Sequence, residues 1–543
     1  QDQIRPGVIA FNAALTACGN GNEWQQALIS LHEMRCLSLT PNAITCSAAI
    51  SACSKGWQWQ MAIALLGAVR GSIDSPSARQ TVGCVPTLAG FGAALHACAK
   101  SQQWELTVEL LSEMTVAQVA PDWSCFRDLL TMCERLQLLH HEVCLLLRLG
   151  ELERSDDNSS FMLGLKAAAF NAAAVRLSAR GYKAEALEIL RSIANSGHWT
   201  LLSQQVWLHL SQAPVDMARF RSMSPLHDQA RASFQASTPY AKELALLAHV
   251  LATAQPGNPA SVCEAIEHYG EQVVTRKSLF LKIAGGTKAQ VLAKAMMRSP
   301  ANCNVLEIGT YCGYSAVRLA ATMRSAKIFT VEVDPVHVVV ARNIIAFAGL
   351  SNTVEVWTGH SGELIPCMSA VNANNRGAAR FGAVFMDQRG SRYHEDLAAL
   401  EQNDLLMPGT VLVADNVLKP GAPIFLWHVF VDPSYKSSVI RVSEFAVPSE
   451  DWMAVAIFQP IPSRSQSHET SSEEPPIKLV ELSKEADRLR DRASTPGAVT
   501  FAEWAAFSQR MSASLEGFGM HAMDVDAWSG SWQEEGEGKK EKR

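Results

Sequence analysis

Four polar side chains follow stretches that read as buried strands, and together they could bind a cofactor and a metal ion. Glu332 ends one apolar run, Asp387 ends another, and Asp415 with Asn416 ends a third. A carboxylate in the position of Glu332 can accept hydrogen bonds from both hydroxyls of a ribose. Two carboxylates and an amide oxygen are the hard ligands that Mg²⁺ takes, so Asp387, Asp415 and Asn416 are a predicted metal site.

The same residues also have a plainer interpretation. Aspartate and asparagine often cap the helix that follows them, so Asp387 and Asp415 could be helix caps. The carboxyl ends of parallel strands meet at one edge of a sheet, where ligands of such folds bind. Four acidic or amide groups at this edge favour a binding site over a set of caps.

A strand, a glycine turn and a helix are predicted within Asn304–Ala320, which reads NVLEIGTYCGYSAVRLA. Gly309 and Gly313 are four residues apart and no third glycine follows. The phosphate-binding fingerprint of dinucleotide folds is therefore absent. With Glu307 beside the turn, the segment favours a cationic, phosphate-free cofactor such as S-adenosylmethionine.

Strand and helix patterns alternate over residues 241–460, which predicts a doubly wound parallel sheet of the Rossmann type. The carboxyl ends of its strands would place the polar residues above at one edge. The predicted strands are Val305–Ile308, Ile328–Val333, Val354–Thr358, Ala383–Met386, Thr410–Ala414 and Ala454–Phe458.

Composition sets limits on the class of protein. A chain of 543 residues predicts roughly three domains, and 48% apolar residues are enough for sizeable cores. A net charge of −6 gives no footprint for nucleic acid or anionic membrane, and no run of about 18 apolar residues is present. We expect no membrane partner.

The chain begins at Gln1 in the middle of a helical pattern, so we expect it to be a fragment that has lost any targeting peptide. Its thirteen cysteines lack Cys-x-x-Cys pairs and fall in apolar helical patterns. They predict reduced core residues of an intracellular protein, cytoplasmic or organellar.

Residues 8–200 repeat with a period near 35. Cysteines recur with steps of 35, 45 and 35 residues, and tryptophans with steps of 35 and 45. Each unit reads as two helices, neither of which can bury its apolar stripe alone, so we predict a stacked α-solenoid. The recurring residues are Cys18, Cys53, Cys98 and Cys133, and Trp24, Trp59 and Trp104.

These units resemble pentatricopeptide repeats, about five of them. The resemblance implies that single-stranded RNA is read one base per repeat. A protein-binding scaffold is the open alternative, because the positive charge of the array is modest. The base-reading positions of that family would fall on Asn12 with Asn42, Ser47 with Thr87, and Gly92 with Asp122.

Residues 245–460 resemble catechol O-methyltransferases over almost the whole length of that enzyme. The resemblance implies Mg²⁺-dependent transfer of a methyl group from S-adenosylmethionine to a hydroxyl of a catechol or similar vicinal diol. The matching motifs are HVLATAQPGNPASVCEAIEHYGEQ, LEIGTYCGYSAVRLA, FTVEVDP, FAGL, VFMD followed by RY, and VLVADNVLKPGAP.

The family's residue roles carry over by position. The resemblance implies a cofactor site formed by Ala284, Glu307, Gly309, Tyr311, Ser315, Glu332, Val333, Ser361 and Asp387. It implies Mg²⁺ ligands at Asp387, Asp415 and Asn416. The walls around the catechol ring would include Phe280, Arg389 and Pro420.

The chain departs from the family at the catalytic base. The family has a lysine three residues after the first metal aspartate, and this chain has Gly390 there. The acid that anchors the second hydroxyl would fall on Ala454, with Glu450 and Asp451 nearby. A lysine beside Mg²⁺ has a lowered pKa, so Lys282 is the predicted replacement base. The alternative is that Lys282 simply points to solvent.

The chain divides into four predicted regions. Residues 1–200 are the predicted repeat solenoid and residues 201–240 a connector. Residues 241–460 are the predicted methyltransferase domain. Residues 461–543 are rich in Ser, Glu and Lys, and we predict a disordered, low-complexity tail with one or two short helices. The alternative function is a binding protein whose methyltransferase domain has lost or altered activity.

Overall fold

A computed structural model describes most of the chain, in two compact units that divide between Asp156 and Asp157. Within the described ranges, no helix combines the length and apolar composition that crossing a bilayer requires. The cysteines of these ranges are free thiols. The described residues are 6–21, 23–56, 58–74, 87–101, 103–121, 125, 129, 132–133, 160–179, 183–195, 240–274, 281–373, 380–447, 449–460, 474–493 and 498–529.

Unit 1 is helical, and its first, third and fifth helices pack against one another in succession. The tryptophans at 24, 59 and 104 each begin a second helix of a pair. A side chain at Gly56 would meet the Trp24 ring at 2.4 Å, so this tryptophan packs against the turn of the next pair. The helices are α1 (Val8–Asn20), α2 (Trp24–Cys36), α3 (Ala43–Lys55), α4 (Trp59–Asp74), α5 (Leu88–Lys100) and α6 (Trp104–Val116).

Two pairs of predicted base-reading residues contact each other in unit 1. Asn12 Nδ2 lies 3.4 Å from Asn42 Oδ1, and the hydroxyls of Ser47 and Thr87 are 2.9 Å apart. Asn42 also caps α3, because its side chain accepts from the backbone N–H of Thr45. The assignment of these helices to pentatricopeptide repeats and to a solenoid stays a prediction; Asp122 lies outside the described residues.

Unit 2 begins with two helices that fall within the predicted repeat region. They are α7 (Ser160–Ala179) and α8 (Lys183–Asn195). The Asn343 side chain donates to the carbonyl of Ala168 at 2.8 Å, which holds α7 against the rest of unit 2. The predicted connector falls almost wholly outside the described residues.

The centre of unit 2 is an eight-stranded sheet in the order β3-β2-β1-β4-β5-β7-β6-β8. The first five strands are parallel, while β7 runs antiparallel to both β5 and β6, so the sheet is mixed. The predicted doubly wound parallel sheet is confirmed for β1 to β5, while the antiparallel direction of β7 was not predicted. The strands are β1 (Asn304–Ile308), β2 (Ile328–Glu332), β3 (Val354–Thr358), β4 (Phe381–Met386), β5 (Leu406–Ala414), β6 (Tyr435–Ser443), β7 (Glu450–Phe458) and β8 (Ala522–Asp524).

Helices cover both faces of this sheet and connect its parallel strands. Two short π-helical turns (Tyr269–Val274 and Val417–Gly421) and a 3₁₀ turn (Gly390–Arg392) lie among them. The helices are α9 (Ala241–Thr253), α10 (Pro259–His268), α11 (Thr287–Met296), α12 (Tyr314–Thr322), α13 (Pro335–Phe347), α14 (Ser361–Ala373), α15 (Tyr393–Gln402), α16 (Pro423–Val431), α17 (Ile477–Ala493) and α18 (Phe501–Gly517).

The two short helices predicted in the tail are present, but the disorder predicted around them was wrong for residues 474–493 and 498–529. Helices α17 and α18 pack on unit 2, and their apolar stripes join its main hydrophobic core. Apolar residues spaced three or four apart put each stripe on one helix face. The buried residues are Leu479, Leu482, Ala486, Leu489, Phe507, Met511, Leu515 and Met520.

Candidate active site

The turn after β1 leaves room that only glycine provides. Gly309 has φ +101°, and a side chain there would meet the carbonyl oxygen of Asp387 at 2.3 Å. Gly313 has φ +86° and lies close against Ala341 of α13. Both conformations are strained for residues with a side chain. The turn therefore exposes the end of β1 as bare backbone, as a cofactor site requires.

Glu307 is a buried carboxylate with one oxygen in use. Its Oε2 accepts a hydrogen bond from the Thr330 hydroxyl, and Ser315 also donates to this side chain. Its Oε1 has no hydrogen-bond partner among the described residues. Burial raises the pKa of Glu307 to about 7. A positively charged group beside Oε1 would satisfy both the oxygen and the charge.

Glu332, at the end of β2, is held by two backbone groups. Its oxygens accept from the N–H groups of Tyr311 at 2.8 Å and Asp334 at 2.9 Å. The Tyr311 hydroxyl donates to Glu243 of α9 at 2.7 Å. Val333 is 50% exposed beside Glu332, an unusual exposure for valine that suits the wall of a flat ligand.

Other predicted cofactor residues lie around the same strand ends. Ser315 is buried in the first turn of α12, and Ser361 begins α14, where it hydrogen-bonds Asp396. Ala284 is buried just before α11. The fold thus brings the predicted cofactor positions to one edge of the sheet, next to Asp387.

Asp387 and Asp415 follow the adjacent strands β4 and β5. The backbone N–H of Asp415 donates to the Met386 carbonyl at 2.9 Å, and Asn416 N–H donates to Asp415 Oδ1 at 2.7 Å. Burial, and then the charge of Asp415, raise the pKa of Asp387 well above its usual range. Neither aspartate begins a helix, so the interpretation as helix caps was wrong.

A lysine that was not predicted from the sequence sits among these acids. The Lys288 ammonium lies 2.9 Å from Asp415, 3.0 Å from Glu444 and 3.1 Å from Asp451. The three carboxylates raise the pKa of Lys288 well above its usual range despite its burial. One ammonium cannot neutralise these three acids and Asp387 as well. A GGTK segment before a helix gives no signal for such a contact.

Two acids from this part of the chain reach the site, Glu444 and the Asp451 that lies near the family's position in the sequence, whereas Ala454 supplies none. Ala454 is buried within β7 and pairs with Ala414 of β5. Glu444 follows β6, and its Oε1 accepts from Asn416 Nδ2 at 3.1 Å. Asp451 accepts from the same amide at 2.7 Å, which leaves the Asn416 oxygen turned away from both acids. Glu444 was not predicted from the sequence because β6, the strand before it, was not.

The residues that would line the acceptor side of the site differ from those of the family pattern. Gly390 touches the 417–421 turn so closely that a side chain would meet the Gly421 carbonyl oxygen at 2.5 Å. Arg389 bonds to Asp487 of α17 at 2.7 Å, and Pro420 is half-buried in the 417–421 turn. Phe280 lies outside the described residues.

Lys282 is exposed at the edge of the site. Packing around its ammonium lowers the pKa of Lys282, and the charges of Lys242 and Arg490 lower it further, against the opposing effect of Asp387. These neighbours place Lys282 near the carboxylates.

Within the described ranges, no group of three or more His, Cys, Asp and Glu side chains has the arrangement of a metal site.

The comparisons with known proteins match this part of the chain. The O-methyltransferase family model matches residues 272–439. The chain is 37% identical over 196 residues to a catechol O-methyltransferase of Mus musculus, covering 36% of this chain and 70% of that protein. It is 35% identical over 214 residues to catechol O-methyltransferase B of Danio rerio, covering 39% and 77%. The chain belongs to the catechol O-methyltransferase family.

A more divergent relative and a solved structure complete the comparisons. The chain is 34% identical to a transmembrane O-methyltransferase of Homo sapiens over 182 residues, covering 33% of this chain and 59% of that protein. The O-methyltransferase of Bacillus cereus in complex with SAH matches with 22% identity and a TM-score of 0.30, covering 36% and 90%.

As a member of this family, the protein described here is an S-adenosylmethionine-dependent O-methyltransferase. The family match ends at residue 439, so Glu444, Asp451 and helices α17 and α18 lie beyond it. The fold places Glu307, Glu332, Asp387 and Asp415 at one edge of the sheet. Beside them it adds elements from outside the matched segment.

Proposed function

We propose that unit 2 transfers the methyl group of S-adenosylmethionine to a hydroxyl of a catechol or similar vicinal diol, with Mg²⁺ as a cofactor. The observation that carries this proposal is the pair of buried carboxylates, Asp387 and Asp415, at adjacent strand ends. Burial raises the pKa of both, and the charge of Asp415 raises that of Asp387 further. A divalent cation relieves such a crowding of negative charge.

The residues present fit Mg²⁺ by their chemistry. Asp387 makes no side-chain hydrogen bond among the described residues, and the Asn416 amide nitrogen is engaged by Glu444 and Asp451. Asp387, Asp415 and Asn416 would hold the ion through hard oxygens. Bound there, Mg²⁺ would supply positive charge that lowers the pKa of an acceptor hydroxyl.

The cofactor also fits the site. S-adenosylmethionine supplies an electrophilic methyl group when bound. The unpartnered Oε1 of Glu307 suits the ammonium of its methionine part, and Glu332 suits the ribose hydroxyls. Gly309 keeps the cofactor's path free of side chains. These residues orient the methyl group towards the acceptor, and such orientation can supply several kcal/mol of the barrier.

The acceptor is held by groups that the chain itself provides. Glu444 would accept a hydrogen bond from the second hydroxyl of a diol, and its contact with Asn416 supports this role. Lys282 would remove the proton from the first hydroxyl, because burial of its ammonium lowers its pKa, which is the direction that a general base needs. The position of the family's own base is blocked at Gly390 by the carbonyl of Gly421.

The test is methyl transfer by the full chain, because a fragment ending at residue 460 would lack part of the core. Labelled cofactor is incubated with a panel of catechols, with EDTA, and with EDTA followed by excess Mg²⁺. We expect product that disappears with EDTA and returns with Mg²⁺. Transfer that ignores the chelator would overturn the metal's role.

The alternative is a repeat protein that binds RNA or protein and whose methyltransferase domain has lost turnover. The closed Gly390 position motivates it. Calorimetry separates the two, because cofactor binding without product from any diol would support the alternative. RNA or protein binding by unit 1 stays a prediction.

A further inference from the structure

Helix α17 is fastened to the loop that follows Asp387. Arg389 donates from Nε to Asp487 at 2.7 Å and from Nη2 to Asp491 at 3.0 Å. The Ser391 hydroxyl donates to Asp487 at 2.9 Å. A helix from outside the family match therefore forms part of the acceptor side of the site.

Arg490 lies on the same side of this helix. It is three residues after Asp487 and next to Asp491, and residues three and four apart share a helix face. Arg490 is only partly exposed and, among the described residues, makes no hydrogen bond or ion pair. Asp487 and Asp491 are instead taken up by Arg389.

Arg490 lies near residues of the acceptor side of the site. Burial lowers the pKa of Arg490 from the usual range, and its charge interacts with Tyr393, Asp487 and Asp387 without a direct hydrogen bond to any of them. The charge of Arg490 also lowers the pKa of Lys282, so the two cations face the same space. A guanidinium stays charged at working pH, and a poorly hydrated charge without a partner is costly. The missing partner is an anion.

We propose that Arg490 is an anion subsite of the acceptor pocket and that the methylated diol carries a carboxylate. This inference rests on the proposed function of the same site. The planar guanidinium fork matches a carboxylate in a bidentate manner. Arg490 supplies one charge, and the acids Asp387, Asp415 and Glu444 close by disfavour a dianion. A diol with an amine would instead meet the charge of Arg490.

The experiment compares three acceptors that share one dihydroxyphenyl ring. They are dihydroxyphenylacetate, its neutral methyl ester, and the amine dopamine. With the full chain, cofactor and Mg²⁺, we expect kcat/KM to fall in that order. The acid should exceed the ester by about tenfold or more, the usual effect of a hydrogen bond to a charged group.

Variants of one helix assign the preference to one residue. Arg490→Gln should reduce the acid-to-ester ratio about tenfold or more, and Arg490→Lys should restore part of it. Arg488→Gln removes the same charge from an exposed position of α17 and should leave the ratio unchanged. A ratio that Arg490→Gln does not alter, or a parent enzyme that prefers the ester or the amine, would overturn the proposal.

Binding distinguishes this proposal from the proposed function. The affinities of the acid and the ester are measured by calorimetry with S-adenosylhomocysteine and Mg²⁺ present. Suppose that the acid binds more tightly than the ester, that Arg490→Gln abolishes this difference, and that no diol is methylated. The proposed function would then be wrong, while the anion subsite would be supported. Equal affinities in the parent would remove the subsite, even if catechols are methylated. If Arg490→Gln does not fold, Arg490→Lys and the parent's own ranking still decide.

Discussion

The cofactor half and the acceptor half of the site share one sheet edge but differ in how they are built. The cofactor half uses the ends of β1 and β2 and lies within the matched segment, where Glu307 and Glu332 keep the expected chemistry. The acceptor half uses Asp387 and Asp415 but is enclosed by elements beyond residue 439. From this contrast we expect the acceptor half, rather than the cofactor half, to distinguish this protein from its relatives.

The helices that enclose the acceptor half, α17 and α18, also contribute to the hydrophobic core. Helix α17 contacts the turns at 390–392 and 417–421, and α18 contacts the 417–421 turn. Met511 of α18 lies where a side chain at Gly421 would be, 2.7 Å away. The acceptor half therefore depends on α17 and α18 for its shape, whereas the glycine turn of the cofactor half packs on β4 and α13.

Phe507→Ala should have the largest effect. Phe507 is fully buried in the core shared by α18 and the sheet. Removing its ring should lower the free energy of unfolding of unit 2 by about 3–5 kcal/mol. Urea unfolding followed by circular dichroism measures this, with the exposed Gln509→Ala as control. Equal stability of the two variants would show that α18 does not contribute to the stability of unit 2.

Lys282→Met tests the base of the acceptor half. If Lys282 removes the hydroxyl proton, turnover should fall at least about a hundredfold, while cofactor affinity stays unchanged. In the parent, turnover should rise with pH as Lys282 loses its proton, and the lowered pKa puts that rise below the usual range of lysine.

Lys327→Met, on an exposed lysine before β2, is the control for loss of one charge. Turnover of Lys282→Met within a few-fold of the parent would show that Lys282 only points to solvent. A flat pH profile in both proteins would lead to the same conclusion.

Much of the cofactor half could be predicted from the sequence because its signals are local. A buried strand, two glycines and a following helix fix the turn, and an acid at the end of the next strand fixes Glu332. The acceptor half depends on long-range packing. Lys288 reaches Glu444 and Asp451 across more than 150 residues of chain, and no local pattern encodes such a contact.

Two wrong predictions have related causes. Short helices were predicted in the tail, but the many charged residues suggested disorder around them, although Leu479 and Leu515 are fully buried. Strand β6 alternates weakly and was missed, so Glu444, which follows it, was not among the acids named beside Ala454. In both cases the contact with the rest of the domain, not local propensity, decides the structure.

Gly390→Ala tests how tightly the acceptor half is closed. The new methyl group would meet the Gly421 carbonyl oxygen at 2.5 Å, so the backbone must shift. We expect a loss of about 1–3 kcal/mol in the free energy of unfolding, as for other overpacked sites. Gly517→Ala, with open space around its new methyl group, is the matched control in thermal melts. A variant as stable as the parent would mean that the family's lysine could be accommodated here.

The smallest effect concerns protonation in the cofactor half. Burial raises the pKa of Glu307 to about 7, so below that pH the carboxyl group is mostly protonated without cofactor. The methionine ammonium favours the ionised form, so binding must release a proton. Affinity for S-adenosylmethionine should therefore rise as pH increases towards about 7, by at most tenfold per pH unit. Calorimetry in two buffers of different ionisation enthalpy should show proton release in this range. Glu307→Gln should bind more weakly and lose both the slope and the release, whereas a parent affinity independent of pH would place the ammonium elsewhere.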